Sequence, residues 1–485
     1  MRLRVTLHYL GLLTVGIGAA MLVPLIWSFL SGGSDAPALG TSMVITLGAG
    51  VLLWQATPLR ANETRMTHRE VIALVVGAWV SASVFGALPY LLSGALPTFL
   101  DALFEAVSGY TTTGSSVFRS VEGVPQGIIL WRALTQWLGG MGIILLFVAL
   151  FPLLGIGAAQ LAEAETPGQE GERLTARMQD TAKALWMIYI GLTAAEVVLL
   201  LISGLPFFDS LTISLSTLPT GGFAPTDLGM ATYNNVFAEM IVAIFMVASG
   251  VNFGLYYLLL WKRRASDLFR DSEFRLYILL IIAATLVINW DLVSQLGLPL
   301  AEALRFGFFQ TASLMTETGI ASTDFNLWPD TARSVLLIIM ITGACAGSTG
   351  GGIKVVRLLM LAKYIYRRVM LAFNPGAVIP LKVNGSIVSE TVISRVVSLT
   401  IFYFATIFVG FLLMTAMGLD IVSALSSVIT ALGNCGPGLG SVGPMSNFAA
   451  VPGMGKGVLI FCMLAGRLEI FTLLIVLTPA FWRWR

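Results

Sequence analysis

Four fourteen-residue units, recurring at intervals of about a hundred residues, each carry a short apolar helix pattern into a small-residue turn that closes on glycine. They are Asp101–Gly114 (DALFEAVSGYTTTG), Asp209–Gly222 (DSLTISLSTLPTGG), Phe306–Gly319 (FGFFQTASLMTETG) and Ser423–Gly436 (SALSSVITALGNCG). Each lies between two long hydrophobic segments. At fourteen residues each, the units are too short to cross a bilayer, which takes about twenty apolar residues. Non-helical backbone at membrane depth is tolerated only where protein or a water-filled cavity satisfies its polar groups. Four matching units therefore predict re-entrant half-helices assembled around a pore.

Composition places the chain in a membrane. Only 11% of its residues are charged and 56% are hydrophobic, whereas soluble domains carry about 25% charged residues. Mean hydropathy is +0.87. The net charge is +2, and no basic cluster interleaved with aromatics suggests nucleic acid. Cys345, Cys435 and Cys462 lie far apart in apolar or Gly-rich surroundings, and match neither a disulfide framework nor metal-ligand spacing. His8 and His68 are equally isolated. Arg2 and Arg4 before an apolar run resemble a signal peptide, but the run continues to Leu30 and Gly32–Pro37 is a poor cleavage site. A retained first span is expected.

Ten stretches are long enough to span: 5–30, 40–57, 71–92, 126–152, 184–203, 236–261, 274–294, 333–366, 390–417 and 456–482. The short units fall between the third and fourth, fifth and sixth, seventh and eighth, and ninth and tenth. The expected fold is an all-α membrane protein with ten transmembrane helices. Four pseudo-symmetric helix–re-entrant loop–helix repeats surround a central pore, preceded by two extra helices. The divisions fall at 1–60 for the leading pair, then 61–160, 161–265, 266–372 and 373–485 for pore repeats 1 to 4, the third with an interrupted helix.

Charge bias orients the array. Basic residues collect in four connections: Arg60, Arg65 and Arg69; Arg173, Arg177 and Lys183; Lys262, Arg263, Arg264, Arg270 and Arg275; and Lys363, Arg367, Arg368 and Lys382. Both ends are basic too, through Arg2, Arg4, Arg483 and Arg485, while 31–39, 204–235 and 418–455 are poor in Lys and Arg. The positive-inside rule then puts both termini in the cytoplasm and brings all four units in from outside. Inverted repeats would place the units on alternating sides, which this charge map excludes.

A monovalent cation crosses only if something replaces its hydration shell, and rings of backbone carbonyls do so without a fixed charge that would trap it. The chain must then tolerate unusual dihedrals and leave the axis open, and glycine does both. Gly114, Gly222, Gly319 and Gly436 are the candidate axial glycines. The small neighbours Thr112, Thr113, Ser115, Thr220, Gly221, Thr318, Asn434 and Cys435 suit the same task, which makes these turns the candidate potassium ligands. The half-helices end at the turns, so their negative dipole ends point toward a cation. The competing reading is that each glycine merely permits close helix packing. It fits any one of them better than the set of four.

The residues here resemble a known family. Ser108–Val117 (SGYTTTGSSV), Trp131–Gly142 (WRALTQWLGGMG), Ala346–Arg357 (AGSTGGGIKVVR), Gly433–Gly440 (GNCGPGLG) and Gly466–Thr472 (GRLEIFT) are similar to the Trk/Ktr/HKT superfamily of potassium transporters. The match is closest to its bacterial TrkH-like branch, which also carries two leading helices. The resemblance covers nearly the whole chain. It implies a multi-pass subunit of the bacterial cytoplasmic (inner) membrane that moves K+, with a fourfold pseudosymmetric pore. It also implies a homodimer working with a cytoplasmic nucleotide-binding regulatory ring (TrkA-like). The family's selectivity glycines carry over to Gly114, Gly222, Gly319 and Gly436, and glycine at the first resembles the potassium-selective members. The chain departs from the family at Glu317, where a small residue is usual and where a carboxylate could attract cations or hold them too tightly. Asn434 and Cys435 are also less typical.

The eighth span is interrupted by Ala346–Ile353 (AGSTGGGI), followed by Lys354. Three consecutive glycines should break a membrane helix, either as a packing kink or as a flexible plug beneath the pore. The segment is not a phosphate-binding loop: Ile353 stands where lysine should follow the glycine, and no strand-like segment precedes it. The resemblance implies an intramembrane gating loop here, with Gly347, Ser348, Thr349, Gly350, Gly351 and Gly352 as candidates and Lys354 as a helper or partner contact. Arg467 lies inside the tenth span, where a charge needs a polar cavity or a partner. Glu469, two residues away, does not share its helix face. In the resembled family this arginine faces the path below the filter and holds the plug closed. Arg132 is expected to brace the outer turns through Asp101 or Glu105.

Leu161–Lys183 and Lys363–Glu390 are candidate docking surfaces, or simply solvated faces that fix topology. Nothing in the chain resembles a dinucleotide-binding unit, so no organic cofactor is expected and any regulatory nucleotide belongs to the partner. A sodium-permeable relative of the same fold remains open. So does a proton- or sodium-coupled symporter using Glu196, Glu317 or Glu469. A membrane enzyme lacks any nucleophile–base or metal-ligand constellation.

Overall fold

Apolar length decides most of the helix boundaries. The computed structural model describes residues 2–59, 66–140, 142, 175–261, 263 and 265–483. Among these, six helices are long and apolar enough to cross a membrane: Leu3–Ser31, Ala36–Ala56, Arg69–Leu92, Ala182–Ile202, Ser272–Leu296 and Glu390–Ala416. They fall on the first, second, third, fifth, seventh and ninth stretches read from hydropathy. The leading helices cross closely at Gly11 and Gly50, where a methyl on Gly50 would come 2.7 Å from the Val15 amide nitrogen. Small residues allow such an approach.

The sixth and tenth stretches are not straight helices. Val236–Ser249 and Phe253–Trp261 meet at 93°, and Gly453–Arg467 and Ile470–Leu477 meet at 115°. Counting each bent pair as one span brings the described total to eight. At the first bend Asn252 Oδ1 accepts from the Gly254 amide at 2.8 Å and starts the new helix. At the second, Glu469 has a left-handed backbone (φ 54°), so Arg467 ends its helix instead of lying inside one. The eighth stretch is divided as expected, into Asp330–Thr342 and Val355–Phe373. The fourth is described as Gln126–Gly140, and the rest of 126–152 lies outside the described residues apart from Gly142.

Each short unit forms a buried half-helix: Phe99–Tyr110, Phe207–Thr217, Leu300–Met315 and Ile421–Gly433. Thr98 caps the first by accepting from the Asp101 amide, and Asp420 caps the fourth by accepting from Val422 and Ser423. Pro206 and Pro299 precede the other two with extended backbone. The all-α expectation has one small exception. Lys382–Val383 pairs antiparallel with Ser386–Ile387 across Asn384-Gly385, a dipeptide suited to the left-handed residues of a tight hairpin.

Candidate functional site

All four half-helices end in the same backbone conformation. The residue two before the closing glycine is left-handed: Thr112 (φ 54°), Thr220 (57°), Glu317 (64°) and Asn434 (61°). So is the glycine, at 84° for Gly114, 82° for Gly222, 78° for Gly319 and 100° for Gly436. The residue between donates its amide back five positions: Thr113 to Ser108 at 2.8 Å, Gly221 to Ser216 at 2.8 Å, Thr318 to Ser313 at 2.9 Å and Cys435 to Thr430 at 2.9 Å. This bond satisfies carbonyls that a helix C-terminus leaves open. Alternating handedness gathers successive N–H groups on one side and leaves the carbonyls on the other.

The turns meet in cyclic order. A methyl on Gly114 would fall 2.2 Å from the Gly221 oxygen, one on Gly222 2.0 Å from Thr318 O, and one on Gly319 1.9 Å from Cys435 O. One on Gly436 would fall 2.8 Å from Thr113 O, which closes the circle. Four turns related in this way surround one point. Side chains tie the seams. Gln136 Nε2 donates to Gly221 O at 2.6 Å while its Oε1 accepts from the Phe223 amide at 3.1 Å. Ser115 Oγ donates to Gly436 O at 2.8 Å, and Asn434 Nδ2 to Thr113 Oγ1 at 2.9 Å. Thr111 shares a hydroxyl bond with Thr113, and Thr316 with Thr318, each at 2.8 Å.

A buried ion pair braces the first seam. Arg132 Nε donates to Glu105 Oε1 at 2.8 Å, and its other nitrogens reach Ser116 Oγ at 3.2 Å and Ala224 O at 3.3 Å. The guanidinium also lies 4.1 Å from the centre of the Phe223 ring. Of the two acids expected to meet Arg132, Glu105 does so; Asp101 pairs with Lys456 instead, at 2.6 Å. A second bridge, Arg305 to Glu239 at 2.7 Å, ties the third half-helix to Val236–Ser249.

The interrupted segment packs against this ring. Its ends are stapled together, with Lys354 N donating to Thr342 O at 3.0 Å and Val355 N to Ala344 O at 3.0 Å. The bend in the sixth stretch completes it, since Cys345 N donates to Gly250 O and Phe253 N to Gly347 O, both at 3.0 Å. Each break in helical pairing therefore satisfies the other. At the tip, Thr349 Oγ1 donates to Leu218 O of the second turn at 2.9 Å. A methyl on Gly351 would lie 2.2 Å from Gly433 O of the fourth turn, and one on Gly352 2.3 Å from Glu317 Oε1 of the third. Lys354 donates to Gly350 O within the segment. Arg467 reaches over it, donating to Thr349 O at 2.8 Å, Gly139 O at 2.6 Å and Gly140 O at 3.0 Å. A guanidinium at a helix end, bonded to three carbonyls, is well compensated for its depth.

A closed ring of four glycine turns over a stapled segment is a specific arrangement, and the sequence matches a family model over residues 38–483, that of TrkH, described as a cation transport protein. The chain belongs to the TrkH family. It is 36% identical over 489 residues to the Trk system potassium uptake protein TrkH of Salmonella typhimurium, covering all of both chains. It is 34% identical to the TrkH of Halomonas elongata, again over the full length of both, and 32% identical to Trk system potassium uptake protein TrkG of Escherichia coli K12 over 99% of each. The fold superposes on the crystal structure of the potassium transporter TrkH from Vibrio parahaemolyticus with a TM-score of 0.89, at 34% identity and with both chains fully covered. None of these relatives is named as an enzyme.

In this TrkH-family chain the candidate turns meet around the four glycines, Thr349, Gly350, Gly351 and Gly352 lie against those turns, and Gly347 lies instead against Asn252 at the sixth-stretch bend. Of the candidate docking surfaces, 161–174 lies outside the described residues, as do Arg60, Arg65, Arg173, Lys262, Arg264 and Arg485. The other holds the basic helix Val355–Phe373, whose Arg367 bonds Glu390 at 2.6 Å, and the small hairpin. Sequence reading missed Gln136 and Glu273. Glu273 Oε1 accepts from the Ala346 amide at 2.6 Å and the Val356 amide at 3.0 Å, clamping both flanks of the interruption. An acid in the first turn of a helix reads as an ordinary dipole partner, so nothing local marked it. Arg357 was likewise unmarked, and it pairs with Glu469 at the second bend.

Proposed function

We propose that this TrkH-family chain takes up potassium across the bacterial cytoplasmic membrane, with the glycine ring as its selectivity filter. The observation that carries the reading is the cyclic contact of Gly114, Gly222, Gly319 and Gly436, repeated with one backbone conformation. Carbonyls of the turns Thr112–Thr113, Thr220–Gly221, Thr318 and Asn434–Cys435 are the proposed ion ligands, because alternating handedness aligns them without a fixed charge. The potassium named by its full-length relatives supports the choice of ion.

The segment Gly347–Gly352, with Lys354 and Arg467, is the proposed gate. It occupies the space against three of the four turns, and Arg467 fastens it to the far side. In this reading the chain has ten spans in two leading helices and four repeats, both termini are cytoplasmic, and the working form is a homodimer. A cytoplasmic nucleotide-binding ring docks on the basic connections, the described part of which is 363–390. The competing reading, coupled symport with protons or sodium, draws on two fully buried carboxylates, Glu196 and Glu317.

Ion flux into liposomes holding the purified protein tests the proposal, comparing potassium, rubidium, sodium and lithium. Uptake of potassium and rubidium over sodium, with the preference degraded by Gly114→Ser and the rate raised by Arg467→Ala, is the expected result. Equal uptake of all four ions, unaltered by Gly114→Ser, would reduce the glycines to packing residues. A fixed stoichiometry with protons or sodium would favour the symport reading.

A further inference from the structure

Glu317 takes the left-handed position held elsewhere by Thr112, Thr220 and Asn434, yet its side chain leaves the ring and enters the interrupted segment. Methyls on Gly352, Gly351 and Gly343 would lie 2.3, 2.9 and 3.0 Å from its carboxylate oxygens. At Gly352 the carboxylate is the nearest obstacle, while methyls on Gly351 and Gly343 would meet Gly433 O at 2.2 Å and Gly351 O at 2.7 Å first and the carboxylate next. Glu317 is fully buried, and apart from the approach of the Gly351 amide its oxygens have no hydrogen-bond partner among the described residues. Asn434 Oδ1, from the neighbouring turn, is buried and unpaired.

These acceptors converge. The point that a methyl would occupy on Gly351 is 2.2 Å from Gly433 O, 2.9 Å from Glu317 Oε2 and 3.2 Å from Asn434 Oδ1. Three oxygens from two turns thus surround one stretch of backbone, and Asn434 Oδ1 among them has no donor. Native structures rarely leave buried acceptors in this state, because each loses its water without a replacement. The donor that approaches the carboxylate, the Gly351 amide, belongs to the segment itself.

We propose that Glu317, Asn434 and the Gly433 carbonyl form a monovalent-cation site at the face of the ring covered by the segment, occluded by Gly351 and uncovered when the segment leaves. The site rests on reading 343–354 as the gate. Hard oxygen ligands without nitrogen or sulfur suit an alkali cation such as potassium. The ion and the segment compete for the same oxygens, so cation occupancy must bias the gate open by the difference in its affinity for the two states. The permeant ion then holds open the gate through which it leaves.

The test uses the full-length protein in liposomes with Ser348→Cys, following modification by a charged thiol reagent in potassium and in choline. Potassium raises the labelling rate by at least about fivefold, the low end of ordinary coupling between sites. Glu317→Gln abolishes this effect and Glu317→Asp, which keeps the charge, retains most of it; gel filtration confirms that both variants fold. A potassium effect that is absent from the parent, or that survives Glu317→Gln, overturns the site. Arg467→Ala separates the two readings: if it fails to raise labelling, the gate itself is wrong and the site falls with it. If it raises labelling while potassium does not, only the cation site fails.

Discussion

Asn434 donates to the Thr113 hydroxyl at 2.9 Å, fastening the fourth turn to the first across 321 residues of chain. The same amide group donates to Met463 O at 3.0 Å, so one side chain ties the ring both to itself and to the helix Gly453–Arg467.

Asn434→Gly isolates that fastening, because glycine keeps the left-handed backbone without strain and removes both bonds. Each bond contributes about 0.5–1.5 kcal/mol. The variant should unfold at lower temperature in detergent and discriminate less between potassium and sodium in liposome flux. Unchanged selectivity would mean that the backbone alone holds the seam.

The four ring glycines should not be equally sensitive. An added methyl meets Cys435 O at 1.9 Å on Gly319 but Thr113 O at 2.8 Å on Gly436. The left-handed backbone costs any L-residue about 1–2 kcal/mol at either position, so the difference lies in overlap. Gly319→Ala should abolish rubidium uptake and Gly436→Ala should reduce it only partly. Equal losses would show that backbone strain, not the seam contact, is limiting.

The legible part of this fold was the part written in local pattern. Apolar runs marked six straight spans within a few residues, and glycine in matching context marked all four turns. Asn384-Gly385 was an equally local signal for the hairpin, hidden by the hydropathy around it. The bends were not legible, because Gly250–Asn252 and Leu468–Glu469 sit in stretches long and apolar enough to be read as single spans. At the first bend the interrupted segment satisfies the freed backbone groups, and at the second Arg357 pairs with the Glu469 carboxylate; both partners lie far away in sequence. Glu317 stood out as a residue of the wrong type in a known context, but its direction depended on Gly343, Gly351 and Gly352 folding around it. Gln136 and Glu273 act through backbone amides and carbonyls, which leave no signature in residue type.

Two ion pairs on the first half-helix should differ sharply. Arg132 and Glu105 are 3% and 0% exposed, whereas Lys456 and Asp101 are 9% and 22% exposed. Removing one partner of a buried pair strands the other charge and costs about 3–5 kcal/mol. A partly hydrated pair is worth about 1 kcal/mol. Glu105→Gln should therefore lower the melting temperature far more than Asp101→Asn, with Arg132→Met/Glu105→Gln recovering part of the loss. Similar shifts for the two single variants would contradict the burial argument.

Glu273 offers a way to loosen the interrupted segment without touching the ring. Its Oε1 accepts from Ala346 and Val356, on opposite flanks of the break, and so keeps the two ends together. Glu273→Gln preserves size but replaces charge-assisted bonds, worth about 1.5–3 kcal/mol, with neutral ones of about 1 kcal/mol. If half of that difference is lost on opening, resting flux should rise by about two- to fivefold. The ratio of potassium to sodium uptake should not change, since no ring contact is altered. This separates the segment from the ring, because Gly114→Ser should do the reverse, changing the ratio before the rate. A Glu273→Gln variant that altered selectivity would mean that the clamp holds the turns as well as the segment, and the two could no longer be treated as separate devices.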